Sequence, residues 1–156
     1  MVECRPAYWL GVMASEIIGI AADHAGFELK GVLKQELETS GYEVLDFGTN
    51  GPQSVDYPDF AESVAKAIEA GRIKRGVLVC GTGIGMAIAA NRHRAVRAAA
   101  CTSTSEARLT RAHNDANVLA LGARLVGIEV AKDCLRTFLD TPFEGGRHVQ
   151  RVGKLS

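Results

Sequence analysis

Short apolar runs alternate with amphipathic segments from residue 17 onward, and this alternation restricts the architectures open to the chain more than any other feature. Ile17-Ile18-Gly19-Ile20-Ala21-Ala22 reads as a buried strand that ends at the polar pair Asp23-His24. The segment from about Gly26 to Ser40 carries Leu29, Leu33 and Leu37 at helical spacing, and Gly41 suits its C-terminal cap. Tyr42 to Phe47 reads as a second strand. A polar loop then runs to Tyr57-Pro58, and Phe60, Val64 and Ile68 mark a helix that stops at Gly71. Gly76 to Cys80 is expected to form a third strand, followed by a glycine-rich turn and a helix to about Arg92. Val96 to Cys101 and Val118 to Leu121 read as the fourth and fifth strands, with a short helix around Glu106 between them. The longest and final helix is expected from about Val126 to Leu139. Strands this apolar, each followed by a helix, predict a parallel sheet covered on both faces. The expected fold is α/β: a single-domain, Rossmann-like three-layer αβα sandwich with a five-stranded parallel sheet. Right-handed crossovers put the strand C-termini on one edge, where ligands bind in open α/β sheets.

Composition excludes several classes of partner. The 156 residues suit one domain, and 47% apolar with 23% charged residues is the balance of a globular chain. Lys+Arg and Asp+Glu both number 18, so no bulk field favours nucleic acid or an anionic membrane, and any anion must be held locally. No apolar run reaches the roughly 18 residues that span a bilayer. Cys4, Cys80, Cys101 and Cys134 contain no C-x-x-C pair and nothing signals export, so reduced thiols in the cytoplasm are expected. Residues 1–16 precede the periodic pattern and read as an N-terminal extension, either a dispensable prefix ahead of a start at Met13 or an arm used in packing. Residues 17–156 form the domain, with a C-terminal arm from about 140.

Cys80-Gly81-Thr82-Gly83-Ile84-Gly85 lies between a buried strand and a helix. Such a turn exposes backbone N–H groups where an anion or a developing oxyanion can bind. Its glycines permit unusual φ angles and a close approach of ligand to backbone. Familiar signatures fail here. A dinucleotide fingerprint needs glycine where Met86 stands, and no Lys-Ser or Lys-Thr follows as a phosphate-binding loop requires. A nucleophile elbow on Cys80 would want glycine at Leu78 and Thr82, and a cysteine phosphatase would want arginine at Met86. Cys80 itself sits where a helix N-terminus can stabilise a thiolate; a packing role is the plain alternative for a lone cysteine at a strand end.

The histidines His24, His93, His113 and His148 show no H-x-x-x-H or equivalent spacing, so no metal is expected, although Asp23, His24 and Cys80 share one edge. His93 is read as lying on a solvated helix end. His113-Asn114-Asp115 reads as a polar loop before the fifth strand, with His113 suited to acid–base work at neutral pH. In the tail Gly145-Gly146-Arg147-His148-Val149-Gln150-Arg151, a helix would put Arg147 and Arg151 on one face. Like charges so placed cost stability unless an anion lies between them, and guanidinium pairs suit phosphate.

These segments together resemble the type B ribose-5-phosphate isomerase family, which also includes galactose-6-phosphate isomerase subunits. The resemblance runs from Ile17 through Ala22 to Gly26, Asp56-Tyr57-Pro58, Cys80 to Gly85, His113-Asn114-Asp115, and Gly145 to Arg151. It does not cover the prefix.

The resemblance implies an aldose–ketose isomerase that moves a proton between C1 and C2 through a cis-enediolate, without redox cofactor or metal. It gives Cys80 as the base, Thr82 as a hydroxyl beside the enediolate, and the Gly81, Gly83 and Gly85 turn as the oxyanion hole. It gives His113 as the ring-opening acid–base, with Asp23 and Tyr57 around the sugar hydroxyls and Asn114 on the reacting oxygens. His24, Arg124, Arg147 and Arg151 are the implied phosphate clamp. The implied assembly is a homodimer or dimer of dimers with shared active sites, in which the tail arginines serve a neighbour's site. The implied substrate is a phosphorylated pentose. A hexose 6-phosphate (allose or galactose), a non-catalytic sugar-phosphate sensor, and a thiol hydrolase using Cys80 and His113 are the competing readings.

Overall fold

Five parallel strands build the sheet: β1 (Ile17–Ala22), β2 (Glu43–Asp46), β3 (Arg75–Cys80), β4 (Ala98–Ala100) and β5 (Val118–Gly122), in the order β2-β1-β3-β5-β4. They are resolved in a computed structural model that describes residues 15–156. In the three central strands β1, β3 and β5 nearly all side chains are buried on both faces, as covered parallel strands require, while the edge strands β2 and β4 stay partly exposed. The connecting helices are α1 (Phe27–Thr39), α2 (Tyr57–Glu69), α3 (Ile84–Ala90), α4 (Thr104–Asn114) and α5 (Ile128–Asp140), and a sixth, α6 (Arg147–Gly153), ends the chain.

The period-two alternation of the strands separates two cores. Ile18, Ile20, Val77, Val79, Leu119 and Leu121 pack against α1, α4 and α5. Ala21, Leu78, Cys80, Val118 and Ala120 pack against α2 and α3 on the other face. This is the expected αβα sandwich.

Several elements depart from the sequence expectation. β4 is only three residues long, an edge strand of small alanines, although Val96 and Cys101 beyond its ends are buried. The helix around Glu106 is eleven residues long, started by a capping box in which Ser103 and Glu106 satisfy each other's backbone amides. His113 and Asn114 therefore lie in the last turn of a helix, not in a loop. α5 equals α1 and α2 in length and is not the final helix, because the tail winds into α6. Gly41 does close α1 in a left-handed conformation (φ 89°).

The expected prefix, residues 1–16, lies almost wholly outside the described residues, as does Cys4. Its last residue, Glu16, is held by the fold: Arg75 donates to both its carboxylate oxygens, at 2.8 and 2.6 Å. No described helix is long and apolar enough to cross a membrane.

Candidate active site

The C-terminal ends of β1 and β3 set the first group of candidate residues side by side. β1 and β3 are in register to Ala22 and Val79, and the Asp23 amide donates to the Val79 carbonyl at 3.2 Å. This fixes Asp23 next to Cys80. Asp23 is buried, and one carboxylate oxygen accepts from the Gly26 amide at 3.0 Å. Next along, His24 Nδ1 accepts from the Val55 amide at 3.1 Å, which leaves Nε2 as the ring's donor.

Cys80 is 4% exposed, and its Sγ accepts from the Gly83 amide at 3.1 Å. The Gly83 N–H thus points at the sulfur from inside the turn. The other two described cysteines lie in the core on the other face of the sheet. Burial pushes the Cys101 thiol up to about 12 and also raises that of Cys134, so both are inert at neutral pH.

The three glycines of the turn have separate causes. Gly83 alone has a positive φ, 77°, and a Cβ there would stand 3.0 to 3.2 Å from the backbone of Ala120 and Leu121. At Gly85 a Cβ would fall 2.7 Å from the ring of Tyr57, which lies across it. Gly81 faces the Arg124 guanidinium, and the Arg124 amide donates to its carbonyl at 2.9 Å. Close approach at this turn is thus made by Tyr57 and Arg124 as well as left open for a ligand. Thr82 is exposed, with its hydroxyl accepting from the Ile84 amide at 3.3 Å. Sequence reasoning missed Gly122, where a Cβ would meet the Thr82 backbone at 2.6 to 2.7 Å; β5 can pass under the turn only with glycine there.

The remaining candidates occupy the opposite edge of the sheet. β5 begins at Val118, paired with Gly76, and reaches Gly122, paired with Cys80. Those four steps of strand separate the two edges by about 13 Å, and the last turn of α4 lies before the start of β5. His113 and Asn114 are therefore not brought to Cys80 within one chain. α6 packs on α4 and adds Arg147 and Arg151, both exposed on one helix. A concavity of about 330 Å3 is lined by His113, Asn114, His148 and Arg151 among others.

Two residues here were not singled out by sequence reasoning. Glu144 Oε2 lies 3.8 Å from His113 Nε2 and 3.7 Å from His148 Nε2. Burial, then neighbouring His113 and Arg147, hold the His148 pKa below the ordinary histidine value, with Glu144 opposing. The expectation of no metal rested on sequence spacing, yet these three side chains bring ligand atoms within 4.8 Å of one another across two elements. Arg147 and Arg151 make their surroundings cationic. His93 is likewise not simply solvated: its Nδ1 lies 2.9 Å from a Glu69 carboxylate oxygen, tying the ends of α3 and α2.

A concavity of about 710 Å3 lies among cations at the N-terminal edge and away from the glycine turn. Arg75 there is paired with Glu16, and Arg97 and Arg111 with Asp115, so these three cations are committed to the fold.

The C-terminal edge of this α/β fold thus holds a thiol in a strand-to-helix glycine turn, with Asp23 beside it on the neighbouring strand and Arg124 against Gly81. The chain belongs to the ribose/galactose isomerase family, whose model matches residues 18–155. It is 46% identical to ribose-5-phosphate isomerase B of Escherichia coli over 86% of this chain and 91% of that one. To the D-erythrulose-4-phosphate isomerase of Pectobacterium atrosepticum it is 42% identical over 88% and 91%. The solved structure of ribose-5-phosphate isomerase B from Clostridium thermocellum superposes with a TM-score of 0.88, at 52% identity over 89% of this chain and 94% of that one. The chain is thus a sugar-phosphate isomerase.

Proposed function

We propose that the protein interconverts ribose 5-phosphate and ribulose 5-phosphate, with Cys80 as the base. The observation that carries this reading is the Gly83 N–H on Cys80 Sγ inside the glycine turn. In the forward direction the Cys80 thiolate removes the C2 proton of the open-chain aldose. The electron pair moves to form the C1–C2 double bond of an enediolate as the C1 oxygen takes up charge; the O2 proton passes to O1, and the carbon proton is returned to C1 while the C2 oxygen becomes the carbonyl. Charge developing on the two oxygens falls at the Gly81–Gly85 turn and Thr82, where a well-placed donor contributes ~3–4 kcal/mol. Before this step the furanose must open. His113 gives a proton to the ring oxygen and takes one from the anomeric hydroxyl, an exchange for which general acid–base catalysis contributes ~10²–10⁴-fold. His24, Arg124, Arg147 and Arg151 grip the phosphate, and Asp23, Tyr57 and Asn114 orient the sugar, so that binding of the unreactive phosphate positions the reacting carbons.

His113, Asn114 and the tail arginines reach Cys80 only if a second copy presents its N-terminal edge to this C-terminal edge. An apolar surface on that side supports such docking: Ile84 and Ile88 one helical turn apart on α3, with Leu125 and Ile128 beyond β5, are each more than half exposed. The working unit in this reading is a homodimer with two shared sites, or a pair of such dimers, acting in the cytoplasm.

The test is turnover of ribose 5-phosphate by EDTA-treated protein, beside a Cys80→Ala variant. Native turnover that falls by about 10³-fold or more in the variant is the expected result; undiminished turnover removes Cys80 from its role. Inert native protein that turns over allose or galactose 6-phosphate would move the substrate to a hexose, and binding without turnover of any would leave a sensor.

A further inference from the structure

His148 has no role in the reading above, yet it is one of only four polar or charged side chains buried among the described residues, at 8% exposure. Its ring lies parallel to that of His113, with centroids 4.5 Å apart and planes 12° from each other. Both Nε2 atoms face the same Glu144 oxygen within ion-pair distance. Glu144 is itself pinned to α4, its amide donating to the Ala112 carbonyl at 3.0 Å, one residue before His113. The His148 amide donates to the Gly145 carbonyl at 3.1 Å, which sets the first turn of α6. An exposed histidine on a helix end would sample several rotamers; this one is backed by a flat buried ring on one face and has a carboxylate beside its Nε2 edge. Neither supporting residue need touch substrate for this to matter, since a ring-opening acid–base must hold its nitrogen at hydrogen-bond distance from the ring oxygen.

Resting on the reading of His113 as the ring-opening group, we propose that His148 and Glu144 are positioning residues for it. The stacked His148 ring fixes the plane of the His113 imidazole, and the Glu144 carboxylate sets the direction of Nε2. The cis arrangement of the three residues within one chain means that this unit is carried whole to the partner's Cys80.

A substrate that cannot cyclise separates this role from a general one. Erythrose 4-phosphate carries its phosphate on O4 and so has no hydroxyl to close a furanose; its isomerisation needs the thiol chemistry but no ring opening. Values of kcat/KM for ribose 5-phosphate and erythrose 4-phosphate are compared for native protein, His148→Ala, His148→Phe, Glu144→Gln and His113→Asn. The expected result is a loss on ribose 5-phosphate on the order of 10²-fold in His148→Ala, with the tetrose-to-pentose ratio rising by the same factor. Phenylalanine, which restores the stack without the nitrogens, recovers most of the loss, and Glu144→Gln shifts the ratio in the same direction. Equal losses on both sugars, or none on either, in the His148 and Glu144 variants would overturn the proposal. His113→Asn is the control on the underlying reading: if it lowers both sugars alike, ring opening is not its task and that reading falls first.

The same quantity can be read without the tetrose. In Cys80→Ala protein, which cannot isomerise, exchange between the α and β anomers of ribose 5-phosphate by NMR reports ring opening alone. Exchange catalysed by that protein and lost on adding His148→Ala is expected. Exchange unchanged by His148→Ala together with Glu144→Gln would contradict the proposal.

Discussion

Cys80 and Gly83 form the smallest unit that gives the site its chemistry. The sulfur sits at the end of a buried strand, and one amide is turned back onto it as a hydrogen-bond donor. That amide is aimed by a left-handed residue, since Gly83 stands at φ 77° with β5 backbone close beneath it. Gly83→Ala is therefore expected to cost about 1–2 kcal/mol in stability from the backbone conformation alone. It should also lower kcat by shifting the N–H away from the sulfur. Urea denaturation and steady-state kinetics on one preparation check both; a variant of native stability and native kcat would show that the turn tolerates a side chain.

At the scale of elements, the site is held by joints between neighbours that differ in how far the sequence betrays them. α1 is locked to β2 and the loop after it by Lys30, whose buried Nζ donates to Asp46 and to the Thr49 carbonyl, both at 2.7 Å. Burial would raise the Asp46 pKa, but the Lys30 hydrogen bond and the Gly48 amide outweigh it and hold it below the usual carboxylate value. A lowered folded-state pKa contributes stability above the unfolded value of about 3.9, and that stability is lost as the pH falls through the folded value. Asp46→Asn leaves a buried ammonium facing a neutral amide and should cost about 3 kcal/mol at pH 7. The gap between variant and native should narrow as the pH falls below about 4. Urea midpoints across pH check this, and a gap that persists at low pH would assign it to packing. Of these features only the strand was legible beforehand. The five strands, the glycine turn and the Asp23-His24 edge were readable because buried parallel strands are near-continuous apolar runs. Nothing in the sequence singles out Lys30, since a helix pattern does not say what lies across from it. The His113–His148–Glu144 cluster was invisible for the same reason: it exists only because α6 folds back on α4. The length of α4 was underestimated because its polar sequence, with Leu109 its one large apolar residue, carries weak periodicity, and that error also placed His113 in a loop.

At the scale of the molecule, the parallel sheet imposes a separation that no local rearrangement removes. Cys80 ends one edge and His113 precedes the other, so the motifs that belong together in sequence resemblance are divided by the strand length of β5. The chemistry proposed for this family member thus requires two copies, each giving its thiol edge to one site and its histidine–arginine edge to the other, in the isologous manner of a two-fold dimer. The central claim is tested most directly by mixing two inactive chains. Cys80→Ala and His113→Asn proteins, unfolded together and refolded in equal amounts, form mixed dimers in which one site has both native groups and the other has neither. With random pairing, half the dimers are mixed and half of their sites are whole, so ribose 5-phosphate turnover should return to about a quarter of native. Activity no higher than the mean of the two separate variants would mean that Cys80 and His113 act within one chain or not together, and would contradict the account.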